Sequence, residues 1–179
     1  MPGRSARQAL HRFFAGLCEH VFECRLGVAD TQLIDYLTDL LDAFVRCDQP
    51  QAVRRSSGQP ALDVSSMMAE ADRRVGLARR EFHRQIGDFT LFWAGMYPES
   101  LRQVAGPVPM DVFVDYCQHG KRAYSIASEI EVETDQASSD LLRRLSDQYD
   151  LCAYGLREIR REWEGGGEDR SASGSLLLG

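Results

Sequence analysis

Residues 64–96, with the sequence VSSMMAEADRRVGLARREFHRQIGDFTLFWAGM, decide the fold class of this chain. Apolar side chains recur along the stretch at alternating steps of three and four residues, the spacing of one face of an α-helix. The recurring positions are Met68, Ala71, Val75, Ala78, Phe82, Ile86, Phe89, Trp93 and Met96. The pattern predicts a long helix, the third of the chain.

A break or kink is expected within this helix. Unbroken, it would span roughly 50 Å at ~1.5 Å per residue, which is long for a domain of this size. Gly87 followed by Asp88 is the preferred position, because glycine weakens a helix and an aspartate can cap a new one. Gly76 is the second choice. The turn through Trp93 is apolar almost all round, which predicts that it crosses the centre of the core.

The flanking sequence repeats the helical pattern. Residues 6–26 predict a first helix whose apolar stripe contains Leu10, Phe13, Phe14, Leu17, Val21 and Cys24. Asp30 and Thr31 offer N-cap oxygens for a second helix, and Asp111 offers one for a helix that ends near Glu133. Residues 135–163 predict a last helix with the heptad-like spacing of a coiled-coil seam. Together the patterns predict an all-α, single-domain bundle of five or six helices.

Glycine, serine and proline mark the segments outside the predicted helices. Residues 48–61 contain two prolines, a glycine and no periodicity, so they predict an exposed connection. Residues 165–179 are rich in glycine and serine, so they predict a flexible tail to a single helical domain of residues 1–164.

Composition narrows the functional class. The chain has 179 residues, of which 44% are hydrophobic and 27% charged, as in ordinary globular proteins. A net charge of -6 makes nucleic acid an improbable partner, because such binding requires a cationic surface. No stretch predicts a membrane span or a signal peptide, and five cysteines without a C-x-x-C pair predict reduced core thiols. We therefore expect a cytoplasmic protein without membrane contact.

Five polar residues are the candidates for a ligand-binding pocket, namely His83, Asp88, Tyr116, His119 and Tyr124. Tyr116 and His119 lie one helical turn apart and could form an acid-base pair, while His83 and Asp88 flank the expected break. A lone inward histidine is more often an ordinary core residue, so both interpretations stay open.

Metal and anion sites have weaker support. His20 and Cys24 lie four residues apart and could chelate a metal, although Cys24 falls in the apolar stripe of a core thiol. No Glu-x-x-His pair of a di-metal bundle occurs, and no cofactor-binding motif is present. Arginines of the third helix could bind a phosphate group or pair with the acidic face of the second helix; they are Arg73, Arg74, Arg79, Arg80 and Arg84.

Residues 86–101, IGDFTLFWAGMYPESL, and residues 115–129, DYCQHGKRAYSIASE, carry a resemblance. They resemble segments of a group of uncharacterised bacterial helical proteins. The shared pattern is Gly87, Asp88, Leu91, Phe92, Gly95, Pro98 and Glu99. The resemblance implies a helical fold. Because that group has no assigned function, no catalytic residue can be carried over from it.

Two functions are compatible with these patterns. The first is a non-enzymatic interaction or regulatory module that forms a homodimer or binds a helical partner, since heptad-like seams often complete their burial in a second chain. The alternative is a helical sensor or enzyme that binds a small ligand near His119. The sequence contains no recognisable catalytic residue that would distinguish these two functions.

Overall fold

The computed structural model describes residues 3–46, 64–104, 109–131, 133 and 137–174. Within these ranges the chain forms eight helices and no strand, which confirms the all-α class. They are α1 (Gly3–Glu19, continued by a π-helical turn, His20–Arg25), α2 (Thr31–Val45), α3 (Val64–Asp72), α4 (Gly76–Met96), α5 (Pro98–Val104), α6 (Pro109–Glu129), α7 (Ser139–Asp147) and α8 (Tyr149–Gly174). The predicted count of five or six helices was too low, because two of the predicted helices are each broken in two and a short helix follows Tyr97. The predicted connection, residues 48–61, lies outside the described ranges.

Helix α4 runs through the middle of a single helical body and packs against both α6 and α8. Ile86, Phe89 and Met96 have no solvent exposure, and Trp93 is half-buried. The prediction that this turn crosses the core is therefore confirmed. Gly95 lets α8 approach closely, because a Cβ there would lie 2.6 Å from the Cβ of Leu156.

The preferred break at Gly87 and Asp88 is wrong, whereas the second choice, Gly76, is confirmed. The chain breaks instead between Asp72 and Gly76, where Gly76 has a φ of +55° that favours glycine. Gly87 lies inside α4, and the Tyr124 ring packs directly against it. A Cβ at this position would be 2.6 Å from Tyr124 Cε1. The glycine serves packing and not termination.

The last predicted helix is two helices. Helix α7 ends at Asp147, and α8 begins at Tyr149 and continues to Gly174, beyond the predicted end near Trp163. The predicted N-cap at Asp30 is confirmed, since its Oδ1 accepts a hydrogen bond from the Leu33 amide at 3.1 Å. The domain limit at residue 164 stays a prediction.

Helix α1 departs from its predicted stripe. Phe14, Cys18 and Val21 are buried as expected of a core face, but Phe13 is 44% exposed and Cys24 is exposed. The π-helical turn explains Cys24: its wider turns advance each residue through a smaller angle, which rotates that side chain away from the core. The interpretation of Cys24 as a core thiol is wrong, whereas Cys18, Cys117 and Cys152 are buried.

Candidate functional site

Asp88 lies at the centre of a polar cluster that joins three helices. Its Oδ1 accepts hydrogen bonds from Tyr36 Oη of α2 at 2.5 Å and from Tyr124 Oη of α6 at 2.8 Å. Its Oδ2 accepts one from Arg84 Nη1 of α4 at 2.7 Å. We call these four residues the Asp88 cluster.

Local sequence positions each member of the cluster. Arg84 and Asp88 lie four residues apart and therefore share one face of α4. Gly87 gives the Tyr124 ring room beside them. Arg84 Nε also donates to Glu81 Oε2 at 2.9 Å, so a second carboxylate flanks the arginine.

Burial sets the protonation of the cluster. It raises the pKa of Asp88, and the Arg84 cation and the two phenol donors partly offset that rise. Burial also raises the pKa of Tyr124 well above its usual range, and the Asp88 charge adds to this. For Arg84, burial lowers the pKa, but Asp88, Tyr36 and Glu81 together more than compensate and the net shift is upward.

The cluster therefore holds neutral phenols and a charged guanidinium at neutral pH. Both carboxylate oxygens of Asp88 already accept hydrogen bonds from the chain itself, and its side chain is only 15% exposed. Such an arrangement ties α2, α4 and α6 together, because removing Asp88 would take away the acceptor shared by Tyr36 and Tyr124 and the carboxylate beside Arg84.

His83 lies on a different side of α4 from Asp88. Five residues separate the two, which is about 140° around a helix. His83 is buried, and its Nε2 is 3.5 Å from Asp72 Oδ1, too far for an ordinary hydrogen bond. Burial lowers the pKa of His83; Asp72 opposes this, while Arg79 and Arg122 add to it. The imidazole is therefore neutral at pH 7.

Tyr116 and His119 stay apart from the Asp88 cluster as well. Tyr116 is buried, and within the described ranges its hydroxyl has no hydrogen-bond partner. His119 is half-buried and lies about 140° around α6 from Tyr124. The structure thus joins Asp88 and Tyr124 by a hydrogen bond and places His83, Tyr116 and His119 elsewhere. A ligand site near His119 stays a prediction.

His20 and Cys24 are both exposed on the π-helical turn. The nearest charged group to His20 is Glu162, with 3.7 Å between Nε2 and Oε1. Across the part of the chain that the structure describes, no group of three or more His, Cys, Asp or Glu side chains could hold a metal ion.

The arginines of the predicted third helix contact carboxylates of α3 and α4 and a carbonyl before α7. Arg73 and Arg74 contact Glu70, and Arg79 contacts Asp72 at 3.2 Å. Arg80 is buried and donates to the carbonyl of Ala137. These contacts stabilise the α3 to α4 region.

Sequence reasoning missed Tyr36 and the outward side of α1. Tyr36 lies in the amphipathic helix α2, whose sequence pattern gives no sign of a polar site. On α1, Ala6, Ala9, Phe13 and Gly16 are exposed along one side. Trp163 of α8, 36% exposed, lies beside Phe13 with ring centroids 6.3 Å apart. We call these five residues the outer α1 face; the small residues around Phe13 were the signal that could have found it.

No protein-family model, curated protein or solved structure matches this chain. The resemblance of residues 86–101 to bacterial helical proteins stays a prediction. None of the helices in the described ranges combines the length and the apolar composition that a membrane span requires.

Proposed function

We propose that this protein is a non-enzymatic helical interaction module that binds another protein through the outer α1 face. The observation that carries the proposal is the aromatic pair at the surface: Phe13 is 44% exposed and Trp163 is 36% exposed, although their rings are in contact. Partly exposed aromatic side chains are enriched where proteins bind one another.

The apolar arc of α1 is wider than the core requires. An amphipathic helix buries a stripe of about 100°. Here Phe14 and Cys18 are buried against the bundle, while Ala9, Phe13 and Gly16 extend the uncharged arc onto the exposed side. The excess favours a second surface that is covered by something outside this bundle.

The heptad-like spacing of α8 does not provide that surface. Most apolar residues of this spacing are buried in the chain's own core, since Tyr149, Cys152, Leu156 and Ile159 have no exposure. The exception is Trp163, which belongs to the outer α1 face. Support for a partner therefore moves from α8 to α1. The saturated hydrogen bonds of the Asp88 cluster also favour a structural role for the most prominent polar group.

A photo-crosslinking experiment tests the proposal. Phe13→p-benzoylphenylalanine keeps the shape of the aromatic side chain and reports what lies within its reach in the cells that make the protein. We expect one discrete crosslinked protein species. The matched control is Val75→p-benzoylphenylalanine, because Val75 is an apolar residue that is 82% exposed in the turn before α4.

The control should give no discrete species. Equal crosslinking from both positions, or none from Phe13, would overturn the proposal. A second variant, Gln8→p-benzoylphenylalanine, probes another exposed position on α1 and should crosslink less than Phe13 because it lies about 140° away around the helix.

A further inference from the structure

We infer that the partner of the outer α1 face is a second copy of this chain, with the two α1 helices antiparallel and crossing at Gly16. The inference rests on the proposed function and names its partner. Three features carry it: two exposed charges of opposite sign on α1, a glycine of α1 with open space where a Cβ would lie, and the pair of partly exposed aromatic rings beside it.

Arg12 and Glu19 supply the charges. Both are exposed and lie seven residues apart, so they occupy the same flank of α1 two turns from each other. Neither forms an ion pair with another of the described residues. The flank therefore presents a positive group at Arg12 and negative groups at Glu19 and at exposed Glu23, four residues further on.

A two-fold axis makes this flank complementary to itself. In an antiparallel pair of α1 helices, Arg12 of each copy lies opposite Glu19 of the other when the axis passes beside Gly16. Two-fold interfaces use the same surface patch on both subunits in this way. A parallel arrangement would instead place Arg12 against Arg12 and Glu19 against Glu19.

Gly16 lies at the crossing point of this arrangement. Glycine weakens a helix interior, and two glycines of α4 offset that cost by allowing close packing. They are Gly87 and Gly95, where a Cβ at either would lie 2.6 Å from a neighbouring side chain. At Gly16 a Cβ would meet nothing within 4 Å. Close approach of a second helix offsets the cost at this position too.

Phe13 and Trp163 form the other edge of the contact. Phe13 lies about 60° around α1 from Gly16, on the side away from Arg12. The two-fold axis brings the aromatic pair of one copy beside that of the other and covers both. A surface of one helix face and one aromatic pair is small, so we expect a weak dimer that dissociates in the micromolar range.

Charge reversal tests the arrangement in the purified full chain by sedimentation equilibrium. Arg12→Glu alone should weaken dimerisation at least about tenfold, and so should Glu19→Arg alone. The double variant should recover wild-type dimerisation, because each flank again carries opposite charges. An equimolar mixture of the two single variants should form heterodimers, since an acidic flank then meets a basic one.

Gly16→Leu separates the interface from the fold. Because nothing in the chain lies near a Cβ at this position, the variant should keep the Tm of the wild-type monomer or exceed it. Its dimerisation should be lost. A variant that dimerises like the wild type would overturn the crossing at Gly16.

Other outcomes separate this inference from the proposed function. Wild-type protein that stays monomeric up to about 1 mM would overturn the homodimer. A Phe13 crosslink to a different protein would also overturn it, while leaving the interaction module intact. Failure of the double variant and of the mixture to recover dimerisation would overturn the antiparallel pairing of Arg12 with Glu19.

Discussion

The Asp88 cluster and the outer α1 face arrange their residues in opposite ways. In the cluster, charged and polar groups are buried and find their partners within the chain. On α1, apolar groups are exposed with little to cover them. Each region also contains a helix-interior glycine: Tyr124 fills the space beside Gly87, and nothing fills the space beside Gly16.

The difference separates a region that stabilises the fold from one that is available for binding. A buried carboxylate must be paired and hydrogen-bonded, so the cluster contributes to stability only as a complete set. An exposed aromatic residue, and a glycine with open space beside it, add no comparable stability to the monomer. Their effect should therefore appear in association and not in the unfolding of the monomer.

The largest expected effect is that of Asp88→Ala. The change removes one of the two carboxylates that, among the described residues, contact the mostly buried Arg84 cation, and it removes the acceptor of two phenols. We expect the free energy of unfolding to fall by about 3 kcal/mol, measured by urea denaturation. The control is Asp35→Ala, an exposed aspartate beside Tyr36, which should change it by less than about 0.5 kcal/mol. Similar values for both variants would mean that the cluster is not a structural tie.

A pair of alanine substitutions compares the two glycines directly. Gly87→Ala forces a Cβ against the Tyr124 ring, which its hydrogen bond to Asp88 holds in place, and should destabilise the protein by about 1 to 2 kcal/mol. Gly16→Ala should stabilise the dilute monomer by about 0.5 to 1 kcal/mol, as expected of an exposed helix position. Thermal unfolding at low protein concentration measures both. Changes of the same sign would remove the contrast between the regions.

The smallest expected effect concerns His83, a buried polar group outside both regions. Its pKa is lowered from 6.5 in the folded state, so the unfolded state binds more protons below that pH. Stability should therefore fall as the pH drops from 7 toward 5. His83→Gln should flatten this dependence in urea unfolding, whereas exposed His20→Gln should leave it unchanged. A slope unaffected by His83→Gln would contradict the assignment.

Local chemistry made part of the fold predictable. The Asp30 cap and the apolar turn through Trp93 depend on neighbours in sequence, and both are confirmed. The preferred position of the break, Gly87, was wrong and the second choice, Gly76, was right, because the two glycines look alike in sequence. Only the backbone at Gly76 and the ring against Gly87 tell them apart.

The candidate site was predictable to a smaller extent. Asp88 and Tyr124 were both candidates, yet 36 residues separate them and nothing local indicates that they meet. Tyr36 was missed for the same reason. His83 was grouped with Asp88 because they are close in sequence, but helix geometry points the two side chains in different directions.

The sequence by itself determined that this chain is all-α, because apolar residues that recur every three or four positions line up on one face only in a helix. Tertiary structure alone decided which glycine ends a helix, which carboxylate is paired and which part of the α1 stripe is left exposed. Those outcomes depend on what packs against each residue. A stripe records how much apolar surface a helix has, whereas only the assembled bundle shows how much of that surface is covered.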